Sequence, residues 1–218
     1  MLTECEKEIM LNPMVKKLLE WFEMGGKSYP FRDTTDPYRI LVSEMLLRQT
    51  TARQVATIYP IFFEKFPTVK HLSKAPIDEI KKTIKPLGIA SRAHDLKQVS
   101  QEIVSKYGGK IPENIQDLIK LKGVGKYIAN CVMAFGFEFQ IAAVDSNINR
   151  VLSRIMGLRV DFKKQPDYRI WKFYYGLMPR KKRREFHHAI IDLAHLFCRP
   201  SNPKCGICPL KEYCNYQE

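Results

Sequence analysis

The chain has 218 residues, room for one large or two small domains, and 45% of them are hydrophobic, which excludes a disordered polymer. Lys and Arg number 36 against 23 Asp and Glu, a formal charge of +13 that points to a polyanionic partner and says nothing about fold. No stretch approaches the ~20 uninterrupted apolar residues of a membrane span. The opening MLTECEKEIMLNP is acidic where a secretory signal is basic, so a cytoplasmic protein is expected.

Apolar residues recur at helical spacing along most of the chain. Val15, Leu18, Leu19 and Phe22 form one stripe, and Ile40, Leu41, Val42, Met45 and Leu46 a second. Asn114 to Leu121, Ala129 to Phe137 and Ile148 to Met156 keep the same period. Pro30, Pro37, Pro67, Pro76, Pro86, Pro112, Pro166 and Pro179 fall between such stretches, which predicts many short helices. Only Gln140 to Val144 (QIAAV) offers a short strand. The predicted fold class is all-α.

After Leu196 the periodicity stops. CRPSNPKCGICPLKEYC is too rich in Cys and Pro to pack through apolar contacts, so something covalent should hold it. Its cysteines, Cys198, Cys205, Cys208 and Cys214, have the spacing C-x6-C-x2-C-x5-C. In a reducing compartment such thiols argue for a metal or for chemistry and not for disulfides. Zinc and a [4Fe–4S] cluster both accept four thiolates. Structural zinc more often uses two short pairs split by a longer insert, so the spacing favours the cluster. Cys5 and Cys131 stand alone, and Cys131 lies on a small-residue helix face that suits a packed apolar side chain.

IQDLIKLKGVGKYIANCVMAF reads as helix, tight turn, helix. Gly123 and Gly125, either side of Val124, allow the turn and remove side chains. Backbone amides and the next helix N-terminus, at Lys126, can then meet a phosphate. A nucleotide-binding loop is excluded, because it needs G-x4-G-K-[ST] after a buried strand. Here a helix precedes, one residue separates the glycines, and Tyr127 stands where Ser or Thr should be. A simple turn is the plain alternative.

This turn, the peptide VDSNINR with Asp145, and the cysteine spacing together resemble the endonuclease III branch of the helix-hairpin-helix DNA glycosylases, closest to the G/T-mismatch thymine enzymes. The resemblance runs from about Tyr29 to the C-terminus. It implies a two-lobed all-helical protein. One lobe, about residues 29–140, is a six-helix barrel-like bundle carrying the hairpin (about 114–137). The other joins residues 1–28 to 141–218 and ends in a [4Fe–4S] loop on the four cysteines. The implied partner is mismatched double-stranded DNA held by a monomer, in a prokaryotic cytoplasm and at the nucleoid, with no membrane.

Asp145 matches the family's catalytic aspartate in its V-D-x-N-x-x-R setting. Breaking an N-glycosidic bond builds positive charge on the sugar, which a nearby carboxylate stabilises while orienting water. By position alone Asp145 is a favoured N-cap, and the two roles are compatible. Two residues after the second hairpin glycine, some members carry a Lys that attacks C1′ as an amine. Tyr127 stands there instead. A phenol forms no imine, and neighbouring Lys126 points ~100° away on a helix, so hydrolysis without strand cleavage is expected.

SEMLLRQTT, Ser43 to Thr51, places Glu44 where related adenine enzymes protonate the leaving purine. For thymine, which leaves as a stabilised anion, Glu44 would hydrogen-bond the base or a water. An ordinary helix Glu with a polar partner is the plain alternative. Arg48 is expected to contact DNA. Gln49 matches a residue that fills the gap left by a flipped nucleotide, and Ile89 in PLGIASRA is either an apolar wedge or a core residue. The run Arg180 to Arg184 (RKKRR) reads as a solvated loop, with phosphate contact the alternative.

The expected substrate is thymine, and also uracil, opposite guanine. Adenine enzymes of the family usually continue into a domain that reads 8-oxoguanine, whereas this sequence ends four residues past Cys214. Glu44 and Tyr127 also suit adenine opposite guanine or 8-oxoguanine, which is the alternative. A helix-hairpin-helix module that only binds DNA would need the glycines and the charge, but neither Asp145 nor Glu44.

Overall fold

The structure, a computed structural model, describes residues 12–216; Cys5 lies outside them. Among the described residues there are helices and irregular segments and no strand. Gln140–Val144, the one strand candidate, is an irregular segment. Its apolar residues follow from burial, since Ala142, Ala143 and Val144 are 0%, 1% and 6% exposed. The chain divides into two compact units, Ser28–Ala143 and Val144 onward with the segment ending at Lys27.

In the second unit, α1 (Pro13–Gly25) starts with Pro13 in its first turn and Asn12 as cap, accepting from the Val15 amide at 3.2 Å. It buries Met14, Val15, Leu18 and Leu19, as the period predicts.

The first unit then runs through seven helices. α2 (Pro37–Leu47) is capped by Asp36 and buries nearly its whole circumference. α3 (Ala52–Lys65) opens on a Thr51/Gln54 capping box and contains Pro60 on its exposed side, where water can serve the carbonyl that loses its amide partner. α4 (Val69–Lys74) and α5 (Ile77–Ile84) pack on α6 (Arg92–Tyr107). Phe62, Leu46, Leu72, Ile80 and Leu96 are each 0% exposed at the centre of this bundle.

α7 (Ile115–Leu118) is shorter than the periodic stretch from Asn114 to Leu121, because the chain turns at Ile119 towards Gly123. α8 (Lys126–Cys131) passes into a widened π turn, Val132–Gly136, instead of continuing as α-helix to Phe137. At Gly136 a Cβ would lie 3.0 Å from the Pro37 Cα, so this end of the segment runs hard against the start of α2. Cys131 is fully buried in this core.

The chain then completes the second unit with α9 (Ser146–Ile155), α10 (Tyr168–Leu177) and α11 (Arg183–Leu196). α11 packs on α1 and α9, and α10 on α9. Two single 3-10 turns, Cys205–Ile207 and Lys211–Tyr213, close the cysteine-rich loop. Among the described residues no helix is long and apolar enough to cross a membrane.

Candidate active site

In the first unit, the hairpin turn is closed by the Val124 amide donating to the Leu121 carbonyl at 3.1 Å. Val124 is 5% exposed and anchors the turn in the core. Gly123 has φ +76°, and a Cβ there would meet Met45 Cε at 3.4 Å. Its glycine is structural. Gly125 differs: its φ is −91°, and nothing lies within 4 Å of where a Cβ would be. No feature of the fold demands glycine there. Gly123→Ala should therefore cost about 1–2 kcal/mol in denaturant unfolding. Gly125→Ala should leave that stability unchanged while weakening duplex binding in a fluorescence-anisotropy titration.

Beyond the turn, Lys126 is exposed, whereas Tyr127 is half-buried and packs against the hydrophobic core. Arg48 and Gln49 stand just past the end of α2. Arg48 Nη1 donates to the Gly123 carbonyl at 3.2 Å, tying this corner to the hairpin. Gln49 is exposed in a left-handed conformation, φ +57°, which a non-glycine residue adopts at a cost of ~1–2 kcal/mol.

Arg92, which sequence reasoning left unassigned, holds Gln49 in place. Its Nη2 donates to Gln49 Oε1 at 3.2 Å, and its Nη1 to the Met45 carbonyl at 3.1 Å. Burial, with Arg48 nearby, lowers the Arg92 pKa. Glu44 is half-buried on α2, beside Ser43, whose buried hydroxyl oxygen has no hydrogen-bond partner. Ile89 is only 9% exposed and packs within the core cluster, so the core half of its two readings describes its position.

In the second unit, Asp145 caps α9. Its Oδ1 accepts from the Ile148 amide at 2.8 Å and its Oδ2 from Asn147 Nδ2 at 2.7 Å. Both oxygens are thus fixed on a half-exposed carboxylate. Arg150, 3% exposed, continues the chain of bonds. Its Nη2 donates to Asn147 Oδ1 at 3.1 Å and its Nε to the Cys198 carbonyl at 2.7 Å. Arg154 donates to Cys198 Sγ at 3.4 Å and to the carbonyls of Arg199 and Pro200 at 2.6 and 3.0 Å. The helix that begins at Asp145 therefore grips the cysteine loop through two arginines. His195 also lies in the field of Asp145; burial, then Lys27, lowers its pKa against the pull of Asp145 and Asp192.

All four loop cysteines line one cavity of about 200 Å³ between Val151, Leu193, Phe197 and Leu210. Burial raises the Cys208 and Cys214 thiols, opposed by hydrogen bonds from the backbone at Leu210 and Tyr216 that favour thiolate. Among the described residues, no three Cys, His, Asp or Glu side chains converge as the ligands of one ion must. Four thiols spread around a shared cavity fit a multi-iron cluster better than a single zinc.

Residues 42–174 match the HhH-GPD superfamily of base excision DNA repair proteins, and residues 198–214 the iron–sulfur binding domain of endonuclease III. The loop carries a [4Fe–4S] cluster. A thymine/uracil-DNA glycosylase of Methanothermobacter thermautotrophicus is 36% identical over 94% of this chain and 93% of its own. An adenine DNA glycosylase of Buchnera aphidicola is 34% identical over 90% of this chain, which spans 56% of that protein. The solved structure of a thermostable thymine-DNA glycosylase superposes with a TM-score of 0.84 at 34% identity, covering 96% of each chain. With its hairpin, its capped aspartate and its cysteine loop, this chain belongs to the HhH-GPD superfamily of base excision DNA repair proteins.

Proposed function

We propose that the protein is a monofunctional DNA glycosylase that hydrolyses the N-glycosidic bond of thymine or uracil opposite guanine. The observation that carries this is Asp145, a carboxylate with both oxygens held by hydrogen bonds on a half-exposed helix end. As the base departs, positive charge grows on the sugar, and a fixed carboxylate opposes it without reorganising. Asp145 then accepts the proton of the attacking water. Thymine and uracil leave as stabilised anions, so no strong acid is needed at the base. Glu44 on α2 hydrogen-bonds the flipped pyrimidine or its water. The wobble geometry of a G·T pair lowers the cost of extrusion.

The same DNA is held by the hairpin, where Gly123, Gly125 and Lys126 meet a phosphate around Val124, whose own amide closes the turn, and by the Arg48–Gln49 corner. Gln49 enters the vacated space, pre-shaped by Arg92. Ile89 does so only if the turn around it opens. When bound, the cluster clamps a loop that lacks a core of its own, and Arg150 and Arg154 join that loop to the helix of Asp145. The protein acts as a monomer at the prokaryotic nucleoid.

Tyr127 in place of an amine means that abasic DNA is released with its strand intact. Incubation of the protein with a G·T duplex and borohydride should trap no covalent complex, and strand breaks should appear only after alkali. Efficient trapping that disappears in Lys126→Ala would contradict this. Adenine is the second reading, favoured by the Buchnera relative and by the half-buried Glu44, which would serve as the acid for a departing purine.

A further inference from the structure

One helix face takes no part in the site above. α10 buries Ile170, Tyr174 and Leu177. A helix seated on a core in this way is ordinarily polar on its opposite side. Here that side carries Tyr168, Trp171, Lys172 and Tyr175, whose i, i+3, i+4, i+7 spacing makes one stripe. Tyr168 is 75% exposed and Tyr175 43%, while Trp171 is half-buried at the stripe's edge. Seven residues of helix set the two tyrosines about 10 Å apart.

Cations flank this stripe. Lys163 and Lys164 are exposed before the helix, and Arg180 and Lys181 after it. Of the nearby acids, Asp167 is engaged by Arg169 at 2.8 Å and Glu23 by Lys182 at 2.5 Å, and Asp161 accepts from the Lys163 amide at 3.1 Å, so cations outnumber acids along this stretch. The local field is positive, which is charge complementarity for a polyanion.

Exposed rings interleaved with cations suit a polyanion that also offers flat apolar faces. Duplex DNA keeps its bases stacked inside and could use only the charges. An acidic protein would likewise use the charges without needing flat rings. A single strand uses both, because every base has a face to stack and every nucleotide a phosphate. We propose that this face of α10, with the basic run that follows it, binds single-stranded nucleic acid independently of the base-excision site. Tyr168 and Tyr175 stack on bases, and Lys172, Arg180 and Lys181 hold phosphates. The proposal does not depend on which base the enzyme removes.

The test uses the cluster-loaded protein and a 15-nucleotide oligo(dT), with tryptophan fluorescence as readout. The chain has 2 tryptophans, and Trp21 packs edge-on against Phe197, so Trp171→Phe assigns the signal. Oligo(dT) should quench Trp171. Tyr168→Ala with Tyr175→Ala should weaken binding about tenfold or more. Arg180→Ala with Lys181→Ala should flatten the salt dependence by a slope of about 1.4, two phosphates' worth. Single-turnover excision from duplex DNA should be unchanged in both double variants.

Three results would overturn the proposal. One is unaltered oligo(dT) affinity in the tyrosine variant. Another is equal quenching by poly-glutamate of matched charge, which would mark an acidic-protein surface. The third is excision falling in parallel with oligo(dT) binding, which would merge this face with the duplex site.

Discussion

Asp145→Asn should fold and bind duplex DNA yet lose base excision by a factor of about 10²–10³ in single-turnover rate, the usual loss when one electrostatic partner of a transition state is removed. The substitution separates two roles that coincide in the structure. Asn retains an acceptor for the Ile148 amide, so the cap of α9 survives. Its amide nitrogen would face Asn147 Nδ2, which must then turn away. A stability loss of about 1 kcal/mol or less is expected from that. Near-normal excision by the variant would leave Asp145 a cap and nothing more.

Cys198→Ser should produce the second large effect. Wild-type protein purified without oxygen should be brown, with about four iron per chain; the variant should fall well below that. Cluster binding and local folding are coupled, because the loop has little else to hold it. Arg150 and Arg154 reach Cys198 itself, so loss of order in the loop propagates to α9. Limited proteolysis should cut the variant within residues 198–214, and duplex affinity should drop about tenfold or more. Stoichiometric zinc with negligible iron in the wild type would contradict the cofactor assignment.

Much of this was legible in the sequence, for reasons that can be named. The stripe at Val15 marked α1 because packing on one core repeats every 3.6 residues, and the apolar run from Ile40 to Leu46 marked α2, which is buried nearly all round. The left-handed need at Gly123 and the cap at Asp145 are local properties that a short peptide carries. QIAAV misled because a buried irregular segment and a strand share their apolar residues. The π turn after Cys131 was hidden, and the close passage of Gly136 by Pro37 at its end joins residues far apart in the chain. The bonds from Asp145 through Asn147 and Arg150 to Cys198 were hidden for the same reason. Arg92 was within reach as a cation beside PLGIAS, but its partners at Met45 and Gln49 lie more than forty residues away.

The identity of the excised base separates a thymine or uracil glycosylase from an adenine glycosylase. Its most direct test compares single-turnover rates on duplexes that differ only in the central pair: T·G, U·G, A·G and A opposite 8-oxoguanine. Salt must be fixed, because backbone affinity depends on it. Thymine and uracil opposite guanine should be removed fastest. Clearly faster removal of adenine from either purine mispair would contradict it.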